Sequence, residues 1–413
     1  MSTATSADLP TRKSPHPAIF LVLFTPFGAS SGYVTVTLAY LLGANGLTAA
    51  AIAAIIAASV WPQTWKVFWA PLVDTTLNSK LWYVLGALGV GGAIIAASVT
   101  PMRTAAVPLL TLFAVVGSIA STLTSMASET FMADLDDGLK GRASGWMQAG
   151  NFAGSGLGGG LALYLAQHVH AQWVSGAGLG LMCMACCLAL PFMPNPPRIA
   201  ARPGILPTLL EVVRDVWAVI RSRAGLLVLF LMLLPIGTGA ASNLWPVIAG
   251  EWRATADTVA LVNGVASGVV SAIGCLVGGY VCDRMDRRTA YCMFGVLVAI
   301  VAVLMALAPR SPASFIGFTL LYTTLIGGCY AAYSAVVLEA IGRGAAATKF
   351  NLMASVSNIP LAMMTTFDGG VHDKSGSSVM LYSEAAIGVI AVVLFAVAAL
   401  AAARLWRPAP AVI

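Results

Sequence analysis

The sequence predicts an all-α membrane protein of twelve transmembrane helices in two six-helix halves. Three observations carry that prediction. Of 413 residues, 59% are hydrophobic and 9% are charged, whereas a soluble domain keeps about 25% charged to solvate its surface. Apolar runs near the roughly 20 residues that cross a bilayer occur twelve times along the chain. The basic residues are also sorted by side. With the N-terminus placed in the cytoplasm, 18 of the 22 Lys and Arg fall on the side of the two termini. Four fall on the other, namely Arg103, Arg253, Arg310 and Lys374. That excess orients both termini to the cytoplasm of a bacterial inner membrane.

Residues 1–17 form a polar cytoplasmic tail with Arg12 and Lys13. No small-residue cleavage site follows in the next apolar run, so that run reads as a retained first span. The first half, 18–193, holds runs at about 18–42, 47–70, 82–100, 105–128, 143–166 and 172–193. A linker, 194–223, opens on the helix-breaking PNPPRIAARPGILP. It continues with Leu209, Val212, Val213, Val216, Trp217 and Ile220 at helical spacing and charges opposite. This predicts an amphipathic helix on the cytoplasmic surface. The second half, 224–404, holds runs at about 224–248, 257–282, 289–308, 313–338, 347–369 and 379–404, and 405–413 is a second tail.

Several function classes are disfavoured. A pI near 9.0 reflects loop charges rather than a nucleic-acid surface, since no aromatic-basic interleaving lies on a polar face. The Cys183, Cys186, Cys187 group has CxxC spacing but no second pair near it, and reads as helix packing. Gly154, Gly156, Gly158, Gly159 and Gly160 resemble a phosphate loop superficially. No strand precedes them and no Lys-Ser/Thr follows. The pairs Gly154/Gly158 and Gly156/Gly160 instead predict close helix approach. The four His are read outside the spans, so no His, Asp and Ser cluster suggests an intramembrane enzyme, and no soluble signalling domain suggests a sensor. No cofactor and no metal are expected.

Six plus six spans with a central linker resemble the major facilitator superfamily. Residues 279–288, Gly-Tyr-Val-Cys-Asp-Arg-Met-Asp-Arg-Arg, are similar to its loop signature Gly-x-x-x-Asp-Arg-x-Gly-Arg-Arg. Asp286 stands where that pattern has glycine. The resemblance implies a gate latch made by Asp283, Arg284, Arg287 and Arg288. Residues 65–74, Trp-Lys-Val-Phe-Trp-Ala-Pro-Leu-Val-Asp, resemble the Lys-Phe-x-Trp-x-Pro-Leu-x-Asp signature of the AmpG-like permeases. That group includes muropeptide permeases, siderophore permeases of the RhtX and FptX type, and acetyl-CoA transporters. Asp134, Leu135, Gly141 and Arg142 fit a second stretch of that group, with Thr124 and Ser125 where it has Gln-Asp. The halves echo each other: Arg142 to Asn151 and Lys349 to Asn358 each span nine residues.

An ionisable side chain inside a span costs at least about 2.5 kcal/mol on insertion scales, so it faces a cavity or a partner. The coupling and ion-pair candidates are Lys66, Asp74, Glu129, Asp134, Arg142 and Glu339. Glu129 is the leading proton-coupling carboxylate. Its bland alternative is a structural pair with Lys66 or Arg142. Glu339 is expected to pair with Arg343, Pro71 to break the second span before Asp74, and Asp368 to lie exposed at the outer end of span eleven. Polar cavity candidates are Gln63, Thr124, Ser125, Gln148, Asn151, Asn243, Asn351 and Asn358. Trp61, Trp65 and Trp69, at i, i+4 and i+8, form a stripe that is a candidate cavity wall. The expected protein is a monomeric secondary transporter and no enzyme. Its partners are a small-molecule substrate, protons and the bilayer, with no nucleic acid. The resemblance implies import of a bulky polar solute, muropeptide-like or siderophore-like, with export of a small organic compound as a further alternative.

Overall fold

A computed structural model describes residues 15–194 except 134, 136, 170 and 172, and 221–405 except 342–345. Between these stretches it describes residues 206, 207, 210, 213, 214 and 217. The linker expected at 194–223 and both tails fall mostly outside the described residues, as do Asp134 and Arg343.

Among the described residues, twelve rods cross the bundle. In the first half they are α1 (Ile19–Ala44), α2 (Ala49–Thr75), α3 (Ser79–Val99), α4 (Val107–Ala133), α5 (137–168) and α6 (Trp173–Phe192). In the second half they are α7 (223–252), α8 (Ala256–Cys282), α9 (Arg287–Leu307), α10 (Pro312–Ile341), α11 (346–375) and α12 (377–405). Among the described residues, eight helices are long and apolar enough to span a membrane by composition. One of these, Asn351–Ala402, is two rods joined at Gly376, and α2, α5 and α7 complete the set. The side on which α1 begins is called the near face below, and its opposite the far face.

Short loops carry the caps that start the helices. Thr48, Asn78, Ser222, Thr255 and Asp286 each accept a backbone N–H from the first turn of α2, α3, α7, α8 and α9. Each removes one of the unsatisfied donors that a helix start would leave. α2 runs on to Thr75 and is not broken at Pro71.

The sequence echo between halves has a structural counterpart. The Tyr83 hydroxyl of α3 donates to the Leu23 carbonyl of α1 at 2.9 Å. The Tyr291 hydroxyl of α9 donates to the Ile236 carbonyl of α7, also at 2.9 Å. The same pair of rods is pinned in the same way in each half, as expected of related halves.

Lipid tails are as apolar as leucine, so helices associate through close packing and buried hydrogen bonds rather than by escaping water. The glycine run of α5 shows this. Gly154 and Gly158 lie against the α1 backbone at Thr25 and Ala29, while Gly156 and Gly160 face Gly264 of α8. The two expected small-residue pairs thus serve two different neighbours, one within the half and one across to the other. Where α1, α5 and α8 meet, each contains a π-helical stretch, at Tyr33–Leu38, Leu157–Leu161 and Ala260–Ala266. Thr37 donates to the Gly158 carbonyl at 2.7 Å in this zone.

Two departures from expectation matter for the site. α7 breaks between Leu233 and Ala240, with positive φ at Gly237 (55°) and Gly239 (74°). α11 continues past 369 to 375, so Asp368 and His372 lie on it rather than in a loop. Asp368 is 0% exposed, not solvated. The extension packs Gly369 against Ala49, Ala50 and Ala53 of α2, and this turns Asp368 into the bundle.

Candidate functional site

A cavity of about 370 Å³ lies between the halves at mid-depth. The first half contributes Gln63 and Lys66 from α2, Ser118 and Ser121 from α4, and Asn151 from α5. The second contributes Thr238 from the α7 break, Tyr330 and Tyr333 from α10, and Ser357 and Asn358 from α11. The echoed residues Asn151 and Asn358 therefore face the same space from opposite halves. Gln63 donates to Ser121 at 3.3 Å. Asn358 donates to the Ala354 carbonyl at 3.0 Å, one turn back on its own helix.

The walls differ in character. Lys66 is a cation with no hydrogen bond or ion pair among the described residues. Opposite it, Tyr330 and Tyr333 present two rings with centroids 6.1 Å apart, tilted by 39°. The cavity is thus positive on one side and aromatic on the other. It lies at the small end of the roughly 300–1,000 Å³ typical of small-molecule sites.

Other candidates lie elsewhere. Trp61 and Trp65 are 38% and 50% exposed on the outside of the bundle. Trp65 is two residues from Gln63, about 200° around the helix, so a wall containing Gln63 excludes it. Trp69 donates to Thr122 of α4 at 3.2 Å and holds two rods together. Thr124 is buried against Gly86 of α3, and Ser125 donates to Glu129 at 2.9 Å. The cavity positions of α4 are instead Ser118 and Ser121, one and two turns earlier. Gln148 is half-buried on α5 outside the lining. Asn243 donates to Thr365 of α11 at 3.0 Å, at the α7 break.

Glu129 pairs with neither Lys66 nor Arg142, which is exposed. Its carboxylate accepts from Ser125 and, across the halves, from Asn351 Nδ2 of α11 at 3.4 Å. This contact lies on the near-face side of the cavity. The side chain of Asp74, in the last turn of α2, lies outside the described residues.

At the loop motif, Arg287 pairs with Glu339 of α10 at 3.3 Å; Arg343, the partner expected for Glu339, lies outside the described residues. Asp283 is exposed at the end of α8. Arg284 folds over the Tyr280 ring, 3.4 Å from its centroid, and Arg288 is partly exposed. Asp286 has φ −55° and ψ 128°, a backbone open to any residue, so glycine is not required. Its carboxylate accepts the Thr289 backbone N–H and hydroxyl, both at 2.9 Å. The Thr289 N–H chiefly holds that carboxyl below its ordinary range.

The far face is closed. Asp373 of α11 accepts the Ala49 and Ala50 backbone N–H groups of α2 at 2.8 and 2.9 Å. A carboxylate thereby caps a helix of the other half, where the helix dipole favours negative charge. Behind it Glu251 binds His372 at 2.7 Å, Ser377 at 2.5 Å and Arg310 at 3.6 Å. His168 of α5 approaches Asp257 of α8 at 3.9 Å.

Two polar residues in the second half escaped the sequence reading as site residues. Asp368 was expected to be exposed, and Glu384 of α12 drew no notice. Both are buried, at 0% and 8% exposure. The Gly, Ser and charged residues at 369–378 look like a loop and place Asp368 at a helix end, whereas Glu384 lies inside the expected span 379–404, where its charge was itself the signal.

Two pinned half-bundles, sealed at one face around a polar central cavity, define a carrier of the alternating-access type. The sequence profile of the Major Facilitator Superfamily matches residues 18–365. The chain belongs to that superfamily and is a transporter. Its fold is similar to the nucleoside transporter NupG at 12% identity and TM-score 0.69, over 92% of this chain and 98% of that one. It is similar to the D-xylose-proton symporter at 16% identity and TM-score 0.67, over 92% and 96%. It also resembles the xylose transporter XylE from E. coli at 15% identity and TM-score 0.66, over 95% and 98%. No curated protein matches it by sequence.

Proposed function

We propose that the protein is a proton-coupled carrier of a compact organic anion bearing a ring or planar group, moved across the bacterial inner membrane with both termini in the cytoplasm. The observation that carries this reading is Lys66, a cation in the central cavity without a partner among the described residues and facing Tyr330 and Tyr333. A lone ammonium in a low-dielectric cavity is a site for a carboxylate or phosphate. The rings supply apolar contact for the rest of the solute.

Within the AmpG-like group that residues 65–74 resemble, a cavity of about 370 Å³ favours a compact acidic solute of siderophore-fragment size over a disaccharide-peptide. Glu129 is the coupling carboxylate of the first half in this reading. Protonating it weakens its hold on Asn351 and frees the near face. One neighbour by fold is itself a proton symporter.

The test uses purified protein and a matched panel of aromatic carboxylates and their amides. Carboxylates should raise the melting temperature and amides should not. Lys66→Gln should erase the difference, with affinity falling about tenfold or more for the lost charged contact. Equal stabilisation by acid and amide would overturn the anion assignment. Uptake into proteoliposomes under a pH gradient then tests coupling: Glu129→Gln should lose proton dependence while retaining exchange.

A further inference from the structure

Among the described residues, Asp368 and Glu384 are the most deeply buried acidic side chains of the second half. Their surroundings differ. Glu384 Oε1 accepts the Tyr322 hydroxyl of α10 at 2.8 Å and the Ala241 backbone N–H of α7 at 3.2 Å. Two donors on one oxygen favour its ionised form. Asp368 has no such help. Both of its oxygens are buried without a hydrogen-bond partner among the described residues, and Glu384 Oε2 is likewise unpartnered. Both residues border the Ala240–Leu244 segment of α7, Glu384 through Ala241 and the Asp368 turn of α11 through the Asn243–Thr365 bond.

A buried carboxylate without donors is among the costliest groups a protein can hold, and the usual relief is neutralisation. Two acids whose environments differ in this way divide their roles: one keeps a proton and the other stays ionised. A metal ion is the other form of relief. The described residues hold no group of three or more His, Cys, Asp or Glu placed for one, and the available ligand set favours a proton.

The pair also borders the α7 break. Ala241 belongs to the short helix Ala240–Leu244 that follows the α7 break, and Asn243 of the same segment is held by Thr365, one turn before Asp368. A gap of about 10 Å³ lies beside Glu384, lined by Pro235, Gly237, Thr238 and Gly388. It has about the room one water needs. Gly237 and Thr238 also line the central cavity.

We propose that Asp368 and Glu384 are a proton-binding site of the second half, with Asp368 carrying the proton, Glu384 the anion that holds the α7 segment, and the gap beside Glu384 the route to the cavity. Release breaks the Asp368 O–H bond, and its proton passes to the Glu384 carboxylate. Glu384 then gives the proton to a water entering the gap, which carries it to the cavity, and both groups are carboxylates until a proton returns. A protonated Glu384 accepts the Ala241 N–H more weakly, so proton transit loosens α7 where it borders the substrate cavity. Other charged groups stand apart. His372, one turn along α11, is engaged by Glu251, α10 offers only Tyr322 here, and α2 presents alanines. The site deepens the proton-coupled reading but rests on it only for its use in transport.

The experiment needs no substrate. Infrared difference spectra of the full-length protein in liposomes, in H₂O and D₂O, report the carbonyl stretch of protonated carboxyl groups. At neutral pH the wild-type should show one such band. It should disappear in Asp368→Asn and remain in Glu384→Gln. A band untouched by Asp368→Asn, or no band at all, would overturn the proposal. Exchanging potassium for sodium should leave the band and the melting temperature unchanged. Loss of the band in sodium would overturn the proton assignment in favour of a metal cation. If the band behaves as expected while uptake ignores a pH gradient, the site stands and the coupled reading falls.

Discussion

On the far face, Asp373 takes two backbone N–H groups of α2 at 2.8 and 2.9 Å, and α5 meets α8 glycine to glycine. On the near face, one hydrogen bond between described residues crosses the halves, Asn351 to Glu129 at 3.4 Å. The first set is short, charge-assisted and backed by close packing. The second is longer than the usual N–H···O range. The protein therefore rests in a state sealed at the far face and weakly held at the near face. Among the described residues, opening the far face must break a carboxylate cap and separate two backbones, whereas the near face is crossed by one long bond.

Three substitutions test that asymmetry. The largest effect is expected from Gly264→Leu. A Cβ there would lie 2.3 Å from the Gly160 backbone, and overpacking of this kind costs about 1–3 kcal/mol or more. The far face should spring apart, seen as a longer distance by electron–electron resonance between labels at Asn45 and Lys374. An unchanged distance would mean that the seam is looser than its geometry. Next comes Asp373→Asn, which keeps the shape but loses the charge and one acceptor. Hydrogen bonds to a charged group contribute roughly 1.5–3 kcal/mol, so the open population should rise about tenfold or more by the same measurement. Asn351→Ala should do least. Losing a long bond to a half-exposed carboxylate should move the distance between labels at Arg142 and Arg284 by a population change of about fivefold or less. A larger response to Asn351→Ala than to Asp373→Asn would reverse the order of the two faces.

Much of the architecture was legible in the chain because lipid imposes a simple rule: a crossing needs about 20 apolar residues. Gln63, Asn151 and Asn358 were legible as cavity residues for the same reason, and Lys66, expected as a coupling or ion-pair residue, lines the same space. A polar group inside an apolar run must face something other than lipid. The rule says nothing about which polar neighbour it finds. Ser125, Asn243 and Asn351 interrupt their runs just as visibly, yet they bind other side chains instead of lining the cavity. The Trp61, Trp65, Trp69 stripe shows a second limit. Helical spacing shows that residues share a face but not which way that face points, and here Trp61 and Trp65 point outward. Asp368, at the edge of the expected span 347–369, was read as exposed because the Gly, Ser and charged residues that follow it look like a loop, and Glu384 was passed over although it sits inside the expected span 379–404, where the same rule applies to it. Asp286 was misleading in the other direction. A residue that departs from the family's glycine turns out to improve the local structure, because it caps α9.

Gly376 joins α11 to α12 with no other residue between them, at φ 80° and ψ 174°. Only glycine enters that region of backbone space readily, and other residues are strained there by about 1–3 kcal/mol. A joint one residue long has almost no slack. The far ends of α11 and α12 therefore share one pin, and a displacement of α11 at that face draws with it the start of α12 and Glu384, two turns along.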